Sequence, residues 1–202
     1  MSDAPPIDFY FDFSSPYGYF AAQRIDDLAR LYGRAVIWHP ILLGVVFKTT
    51  GQVPLLGVPL KGDYARRDLA RVARLMGVPF ITPATFPFGA VAASRITLWL
   101  RGRDPALAAR YARAVYARAF AEGGDVVPAV AAAEIAGSLG VGREEALAAN
   151  NDPAVKDLLR QENEAAMAAG VFGSPFVIVD GEPFWGWDRL DMVERWLSSG
   201  GW

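Results

Sequence analysis

The segment from Ile7 to Phe13 constrains the fold more than any other part of the sequence. Apolar side chains occupy every second position in it, and Asp8, Tyr10 and Asp12 occupy the positions between them. This alternation predicts a β-strand whose two faces differ in polarity. The first regular element of the fold is therefore expected to be a β-strand.

A helix start and a second strand follow. Ser14-Ser15-Pro16 predicts the start, because a serine side chain can cap free backbone N–H groups and proline suits the first helical position. We expect one helix to continue to Tyr32, where Gly33 stops it. Ala35 to Ile41 is rich in β-branched and aromatic residues and predicts a strand, so that the amino end is β-α-β.

The middle of the chain has a different character. Glycine and proline are frequent from Leu43 to Gly62, which predicts an irregular crossing between domains. Beyond it, alanine and arginine are abundant and Gly or Pro marks most boundaries, which predicts five helices. These are Tyr64–Met76, Phe88–Arg101, Pro105–Ala121, Pro128–Leu139 and Pro153–Ala169.

The carboxyl end returns to strand character. Residues 175–179 and 182–185 predict two strands joined by a turn at Asp180-Gly181. Asp188 is expected to cap a last helix, which Gly200 closes. The predicted order is therefore β-α-β, a helical insert, and β-β-α.

The absence of cysteine limits the chemistry more than any residue present. None of the 202 residues is cysteine, which excludes disulfides, a C-x-x-C redox pair and a cysteine nucleophile. The single histidine, His39, leaves almost no material for a serine-histidine triad or a histidine metal site, and we expect no metal. We interpret His39 as a polar residue at a strand end rather than a catalytic group.

Charge and hydropathy indicate where such a protein acts. A net charge of −2 gives no general attraction to nucleic acid or to an anionic membrane. No apolar run approaches the length that spans a bilayer, and Met1 to Pro6 lacks the basic and apolar regions of a signal peptide. We therefore expect a cytoplasmic protein that acts on a small molecule.

Ser15 is the first candidate for function. At the start of a helix its hydroxyl would lie beside free N–H groups and the positive end of the helix dipole, where an anion is favoured. Serine is not acidic enough to be that anion, but it can donate a hydrogen bond to a thiolate that a ligand brings. The alternative interpretation is that Ser15 is only a helix cap.

Two further segments suggest a peptide-like ligand. A cis proline at Ser174-Pro175 would leave the Ser174 N–H and C=O free to pair with an extended peptide, although proline is also common at a strand edge. The segment from Trp185 to Arg189 combines a helix start with Asp188 and Arg189, which could clamp an amino-acid-like end. The alternative there is an ordinary capped helix.

Together, four segments resemble the 2-hydroxychromene-2-carboxylate isomerase family, which is related to kappa-class glutathione transferases and more distantly to DsbA. The likeness spans nearly the whole chain. It implies an α/β, thioredoxin-like fold formed by residues 1–43 and 170–202, with an inserted all-helical domain at 44–169. The segments are Asp8–Phe13, Ser15-Pro16-Tyr17, Val171–Pro175 and Trp185–Arg189.

The resemblance also implies a site. Ser15 stands at the first cysteine position of the DsbA C-x-x-C motif and Gly18 at the second. Glutathione is the implied cofactor, and its thiolate, next to Ser15, would add to the ring-opened substrate and leave again after bond rotation. The implied reaction interconverts 2-hydroxychromene-2-carboxylate and trans-o-hydroxybenzylidenepyruvate in naphthalene breakdown. The implied glutathione-binding residues are Ser15, Ser174, Pro175, Trp185, Gly186, Trp187 and Asp188.

The acidic aromatic substrate needs partners of its own. Lys48, Gln52 and Lys61 are candidate ligands for it, although each could equally be a solvated loop side chain. Gln52 stands where relatives often carry asparagine, and Phe86 stands where an Asn-Tyr pair is expected. The Phe86 ring can stack on an aromatic substrate but cannot hydrogen-bond it.

Two other functions fit the same residues. A kappa-like glutathione transferase would use the same thiolate but release a conjugate. A non-catalytic thioredoxin-like binding module would keep only the peptide groove. The apolar fraction and the helical faces also permit a homodimer, which we expect by analogy with related families.

Overall fold

A mixed four-stranded sheet organises the molecule. The structure is a computed structural model that describes residues 4–202; Met1, Ser2 and Asp3, part of the predicted amino-terminal region, lie outside the described residues. The strand order is β2-β1-β3-β4, in which only β1 and β2 run parallel. The strands are β1 (Ile7–Phe11), β2 (Val36–Pro40), β3 (Phe176–Val179) and β4 (Glu182–Trp185).

Every regular element between β2 and β3 is helical, which confirms the predicted α/β arrangement with a helical insertion. No helix within residues 4–202 is long and apolar enough to cross a membrane. The helices are α1 (Pro16–Ala22), α2 (Ile25–Leu31), α3 (Leu43–Thr50), α4 (Lys61–Met76), α5 (Val91–Arg101), α6 (Pro105–Tyr116), α7 (Ala129–Ser138), α8 (Arg143–Asn151), α9 (Pro153–Ala168) and α10 (Leu190–Ser199).

The two faces of β1 serve different cores, as its alternation predicts. Phe9 and Phe11 are fully buried in the larger apolar cluster, where each ring makes a T-shaped contact with Trp38. Tyr10 faces the opposite side and belongs to a smaller cluster with Phe176. Large apolar side chains on both faces therefore place β1 in the interior of the sheet.

The predicted helix from Pro16 to Tyr32 is wrong as a single element, because it is broken between α1 and α2. The N–H groups of Gln23 and Arg24 bond to carbonyls three residues back, at 3.2 and 3.0 Å, which tightens the end of α1. Arg24 then reaches Asp191 of α10 in an ion pair. A contact with a distant element thus accompanies a break that the local sequence does not mark.

Two helices were not expected from the sequence. Residues of α3 lie in the predicted irregular crossing, and α8 has no predicted counterpart. The carboxylate of Asp12 accepts the Leu43 N–H at 2.6 Å and so satisfies one of the free donors at the start of α3. Because Asp12 is 31 residues away, this helix start depends on a tertiary contact.

The division into a thioredoxin-like part and an inserted domain stays a prediction. A single apolar cluster contains Phe11 of β1, Ile96 of α5 and Tyr116 of α6, so the core is continuous across the predicted boundary. On the other face of the sheet, Asn163 of α9 accepts the Leu42 N–H at 2.8 Å. The insert therefore packs against both faces of the sheet.

A network of charged side chains joins α9 to the sheet. His39 lies between the carboxylates of Asp8 and Glu162, and Arg101 binds both oxygens of Glu162 at 2.7 Å. Burial opposes the charged form of His39, but hydrogen bonds to the two carboxylates outweigh it and raise its pKa. His39 is thus a structural ion-pair partner in β2.

Candidate active site

Ser15 links the two halves of the sheet. It is the N-cap of α1, only 5% exposed, and its Oγ accepts the Gly18 N–H at 3.0 Å. The same hydroxyl donates to the Ser174 carbonyl at 2.8 Å. Ser15 is therefore a helix cap, as one interpretation of the sequence expected. Its hydroxyl also lies between the start of α1 and Ser174, so a ligand bound at Ser174 would lie close to it.

The segment before β3 takes the conformation expected from its sequence, because the Ser174-Pro175 peptide bond is cis. Within residues 4–202, no acceptor takes the Ser174 N–H. The expectation that the Ser174 carbonyl is also free is wrong for this structure, since Ser15 occupies it. A peptide ligand therefore finds the Ser174 N–H open, and it would share the Ser174 carbonyl with the Ser15 hydroxyl or replace that hydroxyl.

The segment from Trp185 to Trp187 meets the Ser174-Pro175 turn directly. The Gly186 N–H donates to the Pro175 carbonyl at 3.0 Å. Gly186 has a φ of 112°, a conformation that glycine adopts without strain. Trp185 is 53% exposed and its indole lies over Gly173, where an added Cβ would approach Nε1 to 2.4 Å. Trp187 is half-buried against Phe20.

Asp188 does not cap the last helix, so that prediction is wrong. It lies within a 3₁₀ turn, Trp187–Arg189, and α10 begins at Leu190 without a side-chain cap. The turn packs against α1. Burial first, then the hydrogen bond to Asp68 and its charge, and more weakly the charges of Tyr64 and Asp188 raise the pKa of Tyr17.

Asp12 belongs to the site although its sequence context does not mark it as a functional residue. Its carboxylate is buried and accepts hydrogen bonds from the N–H and Oγ of Ser14, at 2.6 and 2.7 Å. Burial raises the pKa of this group, and the hydrogen bonds from Ser14 and Leu43 oppose that rise. Its place as a polar residue directly after an apolar strand was the available signal.

Tyr116 of α6 is a second member that the sequence did not reveal. Its hydroxyl is fully buried and donates to the Asp12 carbonyl at 2.8 Å. That carbonyl also accepts the Ser15 N–H at 2.9 Å. Because Tyr116 lies in a buried, apolar part of α6, no local pattern distinguishes it from an ordinary core tyrosine.

Gly18 leaves room for the Tyr116 hydroxyl. A Cβ at Gly18 would lie 2.4 Å from that oxygen and 3.1 Å from the Ser174 Oγ. We expect Gly18→Ala to lower the free energy of unfolding by about 2 kcal/mol, because the buried phenol has nowhere to move. Urea unfolding measures this. Gly137→Ala in α7, whose Cβ would meet nothing within 4 Å, should instead be neutral or stabilising; equal effects would contradict the close contact.

The four candidate substrate ligands come from separate segments between β2 and α5. Lys48 lies in α3, Gln52 follows it and Lys61 begins α4; all three are exposed, and their side chains form no ion pair within residues 4–202. Phe86 is half-buried and lines a groove of about 620 Å³ together with Arg66 of α4.

The helical geometry of α4 indicates the direction in which Lys61 projects. Lys61 and Asp68 are two helical turns apart and share one flank, and Asp68 accepts the Tyr17 hydroxyl at 2.8 Å. Arg66 projects about 200° away from Asp68. Lys61 therefore projects to the same flank of α4 as Asp68, whereas Arg66, which lines the groove with Phe86, projects away from that flank.

Sequence comparison places the chain among known proteins. The model of the DSBA-like thioredoxin domain matches residues 6–198. Over 195 residues, the chain is 34% identical to a 2-hydroxychromene-2-carboxylate isomerase of Pseudomonas putida, covering 93% of this chain and 92% of the relative. It is 29% identical over 212 residues to glutathione S-transferase kappa 2 of Caenorhabditis elegans, covering 98% and 94% of the two chains.

Structural comparison agrees. A solved structure of 2-hydroxychromene-2-carboxylate isomerase superimposes with a TM-score of 0.87 at 30% identity, over 95% of this chain and 94% of the other. The likeness thus includes both the sheet and the helical insertion. This chain belongs to the 2-hydroxychromene-2-carboxylate isomerase family of DSBA-like thioredoxin-fold proteins.

Proposed function

We propose that this protein is a glutathione-dependent isomerase that interconverts 2-hydroxychromene-2-carboxylate and trans-o-hydroxybenzylidenepyruvate, or a similar intermediate of aromatic degradation. One observation carries the proposal. The Ser15 hydroxyl caps α1 and lies 2.8 Å from the Ser174 carbonyl, in a chain that has no thiol of its own. The 34% identity to the isomerase of Pseudomonas putida supports the reaction type.

The residues present fit a tripeptide thiol. The Ser174 N–H has no acceptor within residues 4–202, so a peptide carbonyl can take it. Asp188 is exposed and only loosely paired with Arg189, at 3.5 Å, so it can attract the ammonium group of a γ-glutamyl end. The proposed glutathione-binding residues are Ser15, Ser174, Pro175, Trp185, Gly186, Trp187 and Asp188.

The chain prepares the site for a charged sulfur. When bound, glutathione supplies a thiolate that can add reversibly to a conjugated ketone and so permit rotation about a former double bond. Ser15 is the proposed catalytic residue: its hydroxyl leaves the Ser174 carbonyl and donates to the sulfur, and the N-terminus of α1 adds a favourable potential. We propose Lys48, Gln52 and Lys61 for the substrate's polar groups and Phe86 for its ring.

Thiol stoichiometry tests this function against transferase activity. As an isomerase, the protein should convert many equivalents of substrate while the free thiol concentration stays constant, because the thiolate is released in each cycle. Substrate absorbance and a thiol assay on the same samples measure both quantities. A kappa-like glutathione transferase, which the 29% identity to the kappa-class relative favours, would consume one thiol per product formed.

A binding module is the third candidate. Calorimetry separates it from the enzymes, because a module would bind extended peptides through Ser174 but not glutathione. Binding of peptides without glutathione would count against both enzymatic functions.

The cellular location and the oligomeric state of the protein are also open to test. We propose a cytoplasmic protein, because the cytosolic glutathione pool is kept reduced, and a role in naphthalene breakdown. We also propose a homodimer. Light scattering of the purified protein measures the assembly state, and a monomer at all concentrations would contradict it.

A further inference from the structure

We propose that Tyr116, from the helical insert, is a positioning residue for the site: its hydroxyl fixes the first of the two backbone segments that Ser15 joins, and that segment is hydrogen-bonded to the second. The first segment contains Asp12 and Ser15 and the second contains Ser174. The effect on thiolate chemistry rests on the proposed function, whereas the positioning itself rests only on the contacts of this chain.

Two hydrogen bonds connect Tyr116 to Ser174 through the backbone of Asp12. The Tyr116 hydroxyl donates to the Asp12 carbonyl at 2.8 Å, and the Asp12 N–H donates to the Ser174 Oγ at 2.9 Å. The Ser174 side chain and the Tyr116 hydroxyl both border the same space at Gly18. Tyr116 and Ser174 therefore engage both backbone groups of Asp12, three residues before Ser15.

The phenol is itself held firmly. Tyr116 is 0% exposed, and its ring packs against Phe11, Phe13 and Phe120 with centroids 5.8, 5.3 and 6.2 Å away. A buried hydroxyl needs a hydrogen-bond partner, and the Asp12 carbonyl provides it. The ring cannot turn away without opening the core, so its hydroxyl is a fixed point for the loop above it.

Gly18 makes this contact possible. A side chain there would collide with the phenol oxygen, at 2.4 Å from an added Cβ. The resemblance to DsbA assigns Gly18 to the position of the second cysteine. In this chain the Tyr116 phenol fills the space beside Gly18. The site therefore has no room for a second thiol there and would hold only the thiol of a bound ligand.

The arrangement matters when Ser15 acts. To donate to a thiolate, the Ser15 hydroxyl must release the Ser174 carbonyl, and the only hydrogen bond between those two residues is then lost. The Tyr116, Asp12 and Ser174 contacts still connect the segments at that moment. Without the Tyr116 hydroxyl, the distance from Ser15 to residue 174 would relax and the donor would be less well aimed.

Tyr116→Phe tests the inference, with Tyr111→Phe as the matched control. Tyr111 lies on the same helix, is equally buried and donates to the Ala132 carbonyl at 3.0 Å, away from the site. Each variant loses one buried hydrogen bond, so the general effect on stability should be similar in the two variants. In the ligand-free protein, Tyr116→Phe should speed amide hydrogen exchange at Ser15 and Gly18 about tenfold. Tyr111→Phe should leave both rates unchanged.

A second readout concerns the bound thiol. The ultraviolet absorbance of glutathione thiolate, titrated against pH on the complex, should show a thiol pKa about one unit higher in Tyr116→Phe than in wild type. Turnover should fall about tenfold with a nearly constant KM, because alignment and not binding is lost. If Tyr116→Phe does not fold, Ser174→Ala is the second variant. It removes the hydrogen bond between the Asp12 N–H and the Ser174 Oγ, and the same amide exchange measurement reports its effect.

The outcomes are distinct. Equal amide exchange in wild type and Tyr116→Phe would overturn the inference, and so would equal acceleration in the Tyr111→Phe control. Faster exchange only in Tyr116→Phe, in a protein that neither binds glutathione nor isomerises, would support the positioning role and overturn the proposed function. Faster exchange with an unshifted thiol pKa would overturn the claimed effect on the thiolate.

Discussion

Replacement of Ser15 by alanine is expected to lower kcat about 100-fold, the usual effect of removing one hydrogen-bond donor from a developing or stabilised anion. The Ser15 hydroxyl lies at the N-terminus of α1 and donates to the Ser174 carbonyl at 2.8 Å. Steady-state kinetics with saturating glutathione measures the loss. The bound thiol should also ionise at higher pH, because the charged form loses a donor.

The same substitution removes a helix cap, so its control must remove a cap elsewhere. Asp104 caps α6 by accepting the Ala106 and Leu107 N–H groups at 3.0 Å and is exposed. Asp104→Ala should cost about 1 kcal/mol of stability, and Ser15→Ala about 2 kcal/mol, because Ser15→Ala also loses the hydrogen bond to the Ser174 carbonyl. Only Ser15→Ala should lose turnover. Undiminished rates in folded Ser15→Ala would remove Ser15 from the mechanism.

Replacement of Glu162 by glutamine is expected to lower the free energy of unfolding by about 3 kcal/mol, because it leaves partly buried cations without their anion. The Glu162 side chain is 11% exposed, and it binds Arg101 through both oxygens and His39 through one. Burial alone would raise the pKa of Glu162, but hydrogen bonds from Arg101 and His39, with their charges, lower it to about 2. Urea unfolding at neutral pH measures the loss.

Glu164 provides the matched control on the same helix. It also binds an arginine, Arg160, through both oxygens, but its side chain is 57% exposed. Glu164→Gln should change stability by less than about 0.5 kcal/mol, because water screens the pair. Comparable losses in Glu162→Gln and Glu164→Gln would show that burial does not strengthen the network.

The pH dependence of stability provides an independent test of the role of Glu162. The pKa of Glu162 is lower in the folded chain than its ordinary value of 4.5, so its stabilising effect is complete above that value and is lost as the pH falls towards about 2. The stability difference between wild type and Glu162→Gln should therefore shrink over this acid range. A difference that stays constant down to pH 2 would contradict the lowered pKa.

Elements whose cause is local were predictable from the sequence. Ser15 is the cap of α1, and Asp152 caps α9 by accepting the Ala154 N–H at 2.8 Å. The alternation of β1 correctly predicted which of its side chains enter the larger core. In each case the residues that determine the structure lie within one or two turns of one another, so a local pattern contains the information.

Elements whose cause lies far along the chain were missed. The start of α3 depends on Asp12, and the Ser174 carbonyl is occupied by Ser15, 159 residues away. Asp188 has the residue type of a cap but lies inside a 3₁₀ turn, where its carboxylate pairs with Arg189 instead. A residue's type alone could not distinguish these outcomes.

By itself, the sequence determined the two amino-terminal strands with helix between them, the helical insert, the closing hairpin and the absence of any thiol, because these follow from composition and short-range pattern. Only the tertiary structure decided that Ser15 and Ser174 share a hydrogen bond and that Tyr116 lies beneath them. The physical reason is that a hydrogen bond between distant segments depends on how the sheet and the insert pack. No spacing in the sequence encodes that distance.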